Sequence, residues 1–206
     1  MTKENLITQT EEFNILKSRL SKMIEEDIPF EKNPFKPVFK YFIGIEFDII
    51  FNENIFEAFR KFITKCELPH FVFYVLDPNP ETYFYHHFRK FSVVKVGVDM
   101  SYNDFVNIMD SDPGGSPADA LNVNSNELAI FSNAKNWVVL GSREWEIAIV
   151  GFTDVDVKNT FEECFNQEDN YIISSIEDHV ADLNKMLNFS KKTRAAYNQL
   201  IENYKV

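Results

Sequence analysis

The 206-residue chain carries 32 Asp and Glu against 21 Lys and Arg, a formal net charge of −11, with 45% hydrophobic and 15% aromatic residues. Enough apolar residues are present to build a core, which excludes wholesale disorder, and the acidic balance disfavours nucleic acid and anionic membranes as partners. The charge is uneven: residues 97–183 hold 17 acids against Lys135, Arg143 and Lys158, whereas residues 1–96 hold 14 acids and 13 bases.

The first amphipathic helix is predicted from about Glu11 to Asp27, with Thr10 as N-cap and Phe13, Leu16, Leu20, Met23 and Ile24 at helical spacing. Pro29, Pro34 and Pro37 hold the connection after it extended. From Phe39 to Phe51 aromatic and aliphatic residues alternate with Lys40, Gly44, Glu46 and Asp48, which predicts a strand covered firmly on one side. A helix is expected over Glu53–Cys66, then a buried central strand over Phe71–Leu76 closed by Pro78 and Pro80. Tyr83–Val98 reads as a longer strand whose polar positions change parity between His87 and Ser92, hence a strand with a bulge or bend.

Ser101 and Asp104 have capping-box spacing ahead of a short helix to about Met109. Asp110–Asn126 reads as loop, since Asp-Pro-Gly-Gly-Ser-Pro continues neither a helix nor a central strand. Leu128–Ser132, Trp137–Leu140 and Trp145–Phe152 predict an antiparallel meander with turns at 133–135 and 141–143. Helices opening near Thr153, Ser175 and Ser190 fill the last third. The fold class expected is α+β: a mixed, mainly antiparallel sheet flanked by helices, with a helical C-terminal third. Residues 1–206 are read as one domain, with helices 154–206 a candidate packed subdomain.

Little in the chain suggests covalent chemistry. His86 and His87 are neighbours on a predicted strand and so point to opposite faces, unfit to share a metal. His179 and Asp182 have i, i+3 spacing on a predicted helix, but half a site is not a site. Asp110-x-Asp112-x-Gly114-Gly115 starts like a calcium loop, then places Gly114 at the fifth position and Leu121 where a bidentate Glu is needed. No Gly-x-Ser-x-Gly occurs, and Cys66 and Cys164 are expected to be free thiols on apolar helix faces. No cofactor, no metal and no catalytic residue is assigned. The start, MTKENLITQTEEF, lacks an apolar signal region, and no window has the apolar length of a membrane span; residence in the cytoplasm is the expectation.

The segment Asn136–Phe152 carries Trp137, a Gly-Ser-Arg turn and Trp145 ahead of an acidic-apolar strand. It resembles the C-terminal hairpin of small acidic bacterial proteins, including immunity proteins of polymorphic toxin systems. The resemblance implies an α+β scaffold and a non-enzymatic role, and transfers no functional residue. Together with the charge it gives the leading expectation, an acidic binding protein that masks a basic protein partner, possible toxins among them. The residues assigned to partner binding are Asp110, Asp112, Asp119, Asp154, Asp156, Glu162 and Glu163, with Trp145 as an aromatic anchor. The alternatives are a hydrolase-type enzyme using His86 or His87 with nearby carboxylates, and a structural or assembly subunit. Neither nucleic acid nor membrane is expected as a partner, and self-association is left open. The run from Asp99 to Glu127, with six acids and no base, is where contact is expected first.

Overall fold

The computed structural model describes residues 6–166 and 173–205. The predicted meander is the middle of a seven-stranded sheet: β4 (Glu127–Phe131), β5 (Trp137–Ser142) and β6 (Ile147–Phe152) pair in sequence. Outside β4 lie β2 (His70–Asp77) and then β3 (Val93–Gly97); outside β6 lie β1 (Tyr41–Glu46) and β7 (Ile173–Ser174). Every strand pairing among the described residues is antiparallel, so the sheet is less mixed than the pattern suggested.

Strand alternation sends two apolar sets to opposite sides of this sheet, and helices cover both. Trp137 and Val139 of β5, with Ala148, Val150 and Phe152 of β6, face one side. There α2 (Glu53–Lys65), α4 (Tyr102–Met109) and α5 (Val155–Phe165) deliver a phenylalanine-rich layer. Phe161 stacks on Phe165 at 4.0 Å, meets Phe62 edge-on at 5.0 Å and lies 5.2 Å from Phe152. Each such ring contributes roughly 1.5–3 kcal/mol through burial, and edge-on or offset pairs add to that.

On the second face Val138, Leu140, Ile147 and Ile149 meet α1 (Thr10–Leu20), α6 (Ile176–Leu187) and α7 (Lys191–Asn203). Gly44 of β1 lies under α6: a Cβ there would make ordinary contacts with Ile176 Cα (3.6 Å) and His179 Cβ (3.5 Å) and a tight one with Ile147 Cδ1 (3.3 Å). The C-terminal end of α7 is tied to the segment after α1: the buried Tyr204 hydroxyl donates to Phe30 O (2.6 Å), and Asn203 Nδ2 donates to Glu31 O (2.8 Å). At the sheet margins, Ile7 N–H donates to Val93 O (3.1 Å) beside β3, and β7 spans two residues.

Two predicted strands are corrected. The Phe39–Phe51 alternation is a strand only as far as Glu46, whose partner is Ile147. Beyond that register β6 has ended in its turn, so no ladder is left to join, and Asp48–Phe51 folds into a 3-10 turn that carries Ile50 inward. Tyr83–Val98 is not one bulged strand. Asn79 caps a helical segment by accepting from Glu81 and Thr82 N–H, Pro80 fits its first position, and the helix runs over Pro80–Tyr85 into α3 (His86–Phe88). The parity change marks the switch from helix to strand, made at Arg89 in a left-handed conformation (φ 56°). The first helix also stops early, at Leu20, because Ile24 is drawn into a bridge with Phe35.

The Ser101, Ser175 and Ser190 caps are seen as expected, their hydroxyls accepting from Asp104, Asp178 and Thr193 N–H. Thr10, by contrast, is not the cap of α1 but its first residue, after Gln9, and no side chain caps that helix. Among the described residues no helix is long and apolar enough to cross a membrane.

Candidate functional site

At the end of the sheet where β2 finishes and β4 begins, three segments far apart in sequence close around a pocket on the second face. The β2 alternation that buries Val72 places Tyr74 and Leu76 on this side. Glu127 stands at the start of β4, opposite Asp77. The third wall comes from the turn after α1, residues Glu25, Glu26 and Ile28, with Phe30 behind. Asn79, Pro80 and Glu81, the capped start of the helical segment after β2, complete the rim. The cavity measures about 150 Å³, below the roughly 300–1,000 Å³ of sites that hold a cofactor or drug-sized ligand.

Its walls are apolar and its rim is acidic. Two of the four glutamates are already matched: Glu81 pairs with Lys17, whose ammonium lies 6.0 Å from the Phe13 ring centroid, and Glu25 pairs with Lys36. Glu26 and Glu127 have no ion pair or hydrogen bond among the described residues. Partial burial holds the Glu127 carboxyl above its usual range, and the nearby Asp77, Glu31 and Glu144 charges push it the same way. Tyr74 is 2% exposed, its ring set between Phe13 (5.8 Å) and Phe131 (6.3 Å). Its hydroxyl has no hydrogen-bond partner among the described residues. Burial, then the Glu26 and Glu81 charges, raise the phenol far above its ordinary value, so it stays protonated.

The loop 110–126 joins this end. Asp119 accepts from the Tyr83 hydroxyl (2.6 Å), on the same helical segment that supplies Pro80 and Glu81 to the rim. Asp110 accepts from the Asn122 side-chain amide, and Asp112 from the Gly114 (2.8 Å) and Gly115 (2.6 Å) N–H groups, which hold its carboxyl below the usual range. Gly114 lies against Phe88 so closely that a Cβ would sit 2.7 Å from the ring. Arg143 anchors the far side, donating to Ser125 O and Asn122 O (both 3.1 Å). The three aspartates are thus held mainly by neutral donors, which orient a carboxylate without cancelling its charge.

The other residues assigned from sequence lie elsewhere and are otherwise engaged. Asp154 is the N-cap of α5, accepting from Asp156 (2.7 Å) and Val157 (3.3 Å) N–H. Asp156 sits exposed in the first turn, where the helix dipole favours an acid. Glu162 pairs with Lys158 (2.5 Å) and Glu163 with Lys65 (2.9 Å). Trp145 packs with the second-face core, edge-on to Tyr197 at 5.1 Å, whereas α5 covers the first face. Trp145 and the acids of α5 therefore belong to opposite faces of the sheet.

The histidines do not converge with acids in a cavity. His86 and His87 are exposed on a helix, their rings 4.9 Å apart, which corrects the strand geometry inferred for them. His179 Nε2 makes a 3.1 Å contact with Glu146 O, while Asp182 pairs with Lys185 (2.7 Å). No group of three or more His, Cys, Asp or Glu among the described residues could hold a metal ion. Both cysteines are free, and burial pushes both thiols up.

In the comparisons with known proteins, no family model matches the chain, no curated protein matches it in sequence, and no solved structure matches it.

The pocket residues were missed from sequence because no linear pattern joins them: Glu127 comes from the end of the acidic run, and most of the others from the near-neutral first half. Glu25, Glu26 and Asp27 form a visible acidic run there, but counting it against distant lysines hid it.

Proposed function

We propose that this chain is a non-enzymatic binding protein whose acidic surface masks a basic protein partner, most concretely a bacterial toxin as bound by an immunity protein. The observation that carries this reading is how the carboxylates of the loop are held. Asp110, Asp112 and Asp119 are oriented by amides and a hydroxyl, so their negative field remains directed outward from a fixed loop. A fixed field of one sign speeds encounter with a basic surface and rejects acidic competitors. Of the acids of α5, Glu162 and Glu163 contribute less, because lysines match them.

The test is a binding measurement between the full chain and basic proteins captured from cell extract, at low and at high salt. The expected outcome is a basic partner whose affinity falls with salt and drops by about tenfold or more in the triple variant Asp110→Lys, Asp112→Lys, Asp119→Lys. The pair Glu162→Gln, Glu163→Gln is expected to change affinity little. Binding insensitive both to salt and to the triple change would sink the reading.

A further inference from the structure

Resting on that reading, we propose that the pocket between the α1 turn, β2 and β4 receives one lysine or arginine side chain of the basic partner. Glu26, Glu127 and the Tyr74 hydroxyl would take its charged end, and the apolar wall its stem.

Three independent observations converge here. First, Tyr74 is almost wholly buried, lines the pocket and has an unpartnered hydroxyl. The hydroxyl oxygen itself is not sealed from solvent, so a ligand entering the pocket can displace water from it and take over its hydrogen bond. Second, the carboxylates still unmatched at this rim are Glu26 and Glu127, and the Glu127 carboxyl is destabilised as an anion by burial and by neighbouring acids. A cation beside Glu127 offsets the repulsion from Asp77, Glu31 and Glu144, whereas an anion worsens it and an apolar group desolvates the carboxyl further. Third, the internal pair Lys17–Glu81 shows an ammonium already accommodated at the rim, its position over the Phe13 ring adding a cation–π contact.

Size and lining set the occupant. About 150 Å³ holds roughly five waters at liquid density, which suits the end of one long side chain and excludes a nucleotide or a folded element. Ile24, Ile28, Phe30 and Leu140 supply apolar wall for a methylene stem. Glu127 ends the acidic run of the loop, and Asp119 of that loop is hydrogen-bonded to Tyr83 on the helical segment that supplies Pro80 and Glu81 to the rim.

The test uses the full-length chain and blocked tripeptides, acetyl-Gly-Lys-Gly-amide and its arginine counterpart, titrated by NMR, with acetyl-Gly-norleucine-Gly-amide and butane-1,4-diamine as comparisons. The expected result is saturable shifts of Tyr74 and Leu76 signals with the cationic tripeptides and none with norleucine. Affinity should fall at least about fivefold in Tyr74→Phe and in Glu127→Gln, the loss of one charge-assisted contact. Affinity should also weaken as pH drops through the raised Glu127 pKa, because the protonated carboxyl no longer attracts the cation. Binding of the diamine about tenfold tighter than either tripeptide would assign the pocket to free small cations and overturn the side-chain occupant. No shift with any cation overturns the pocket altogether.

Failure here is distinguishable from failure of the masking reading. A basic partner that responds to the loop charge reversal but binds Tyr74→Phe and Glu127→Gln like the parent protein removes the pocket and leaves the reading standing. Tripeptide binding without any salt-sensitive basic partner removes the reading, and with it the occupant proposed.

Discussion

The two faces of the sheet solve the same burial problem differently. On the first, α2 and α5 lay phenylalanines against Trp137, Val139 and Phe152, and the rings meet one another at 4.0–6.1 Å. On the second, α1 ends at Leu20 and the chain turns away before β2 and β4 are fully covered, leaving Tyr74 beneath an opening rimmed with glutamates. The face closed by rings seals its polar atoms away from a partner: Trp137 Nε1, unpartnered there, is wholly buried. A face closed imperfectly keeps polar groups that water or a partner must satisfy, so stability and recognition are divided between the two sides of one sheet.

The sharpest way to break that division is Phe161→Ala, expected to cost about 3–5 kcal/mol because rings on α2, α5 and β6 lose a shared neighbour. Urea unfolding reads the loss, and tripeptide affinity measured under folding conditions should not change. If the pocket failed along with the core, the two faces would not be separable.

Glu127→Gln should act in the opposite sense. The folded-state pKa of Glu127 lies above the unfolded value, so the folded protein holds the proton more tightly than the unfolded chain does. That contribution leaves stability unaffected below the ordinary Glu value of 4.5 and subtracts from it as pH rises above that value through the folded pKa. The neutral variant is therefore expected to melt about 1–2 °C higher than the parent at pH 7. The difference should disappear near pH 4. A lower melting temperature at pH 7 would contradict the account of the rim.

The smallest effect is expected for Tyr74→Phe. The ring contacts with Phe13 and Phe131 are retained and no intramolecular hydrogen bond is lost, so unfolding stability should change by less than about 0.5 kcal/mol. A loss well above that would mean that the hydroxyl serves the fold rather than a partner.

Much of the frame was legible in the chain because it rests on local rules. Serines at 101, 175 and 190 announced the caps they make, and the alternation over Leu128–Phe152 announced the meander. Local rules failed where a partner element decided the outcome. Phe39–Phe51 alternates throughout, yet the strand stops where β6 stops. Tyr83–Phe88 is aromatic enough for a strand, yet the Asn79-Pro80 cap makes it helical. The acidic loop was visible as composition. The pocket was not, because Glu26, Tyr74 and Glu127 share no linear spacing, and because Lys36, which cancels one charge in a count, is committed to Glu25 alone.

The margins of the sheet limit how any partner can approach. Next to β3, Ile7 already occupies Val93 through its amide and takes the Phe91 amide on its own carbonyl (2.8 Å), while on the other side the outermost strand is two residues long. Among the described residues, an incoming extended peptide would find few backbone groups to read at these two places, and strand addition is a mode of recognition that reads backbone. Selectivity must then come from the chemistry of side chains, which makes the choice of partner something that single substitutions can rewrite.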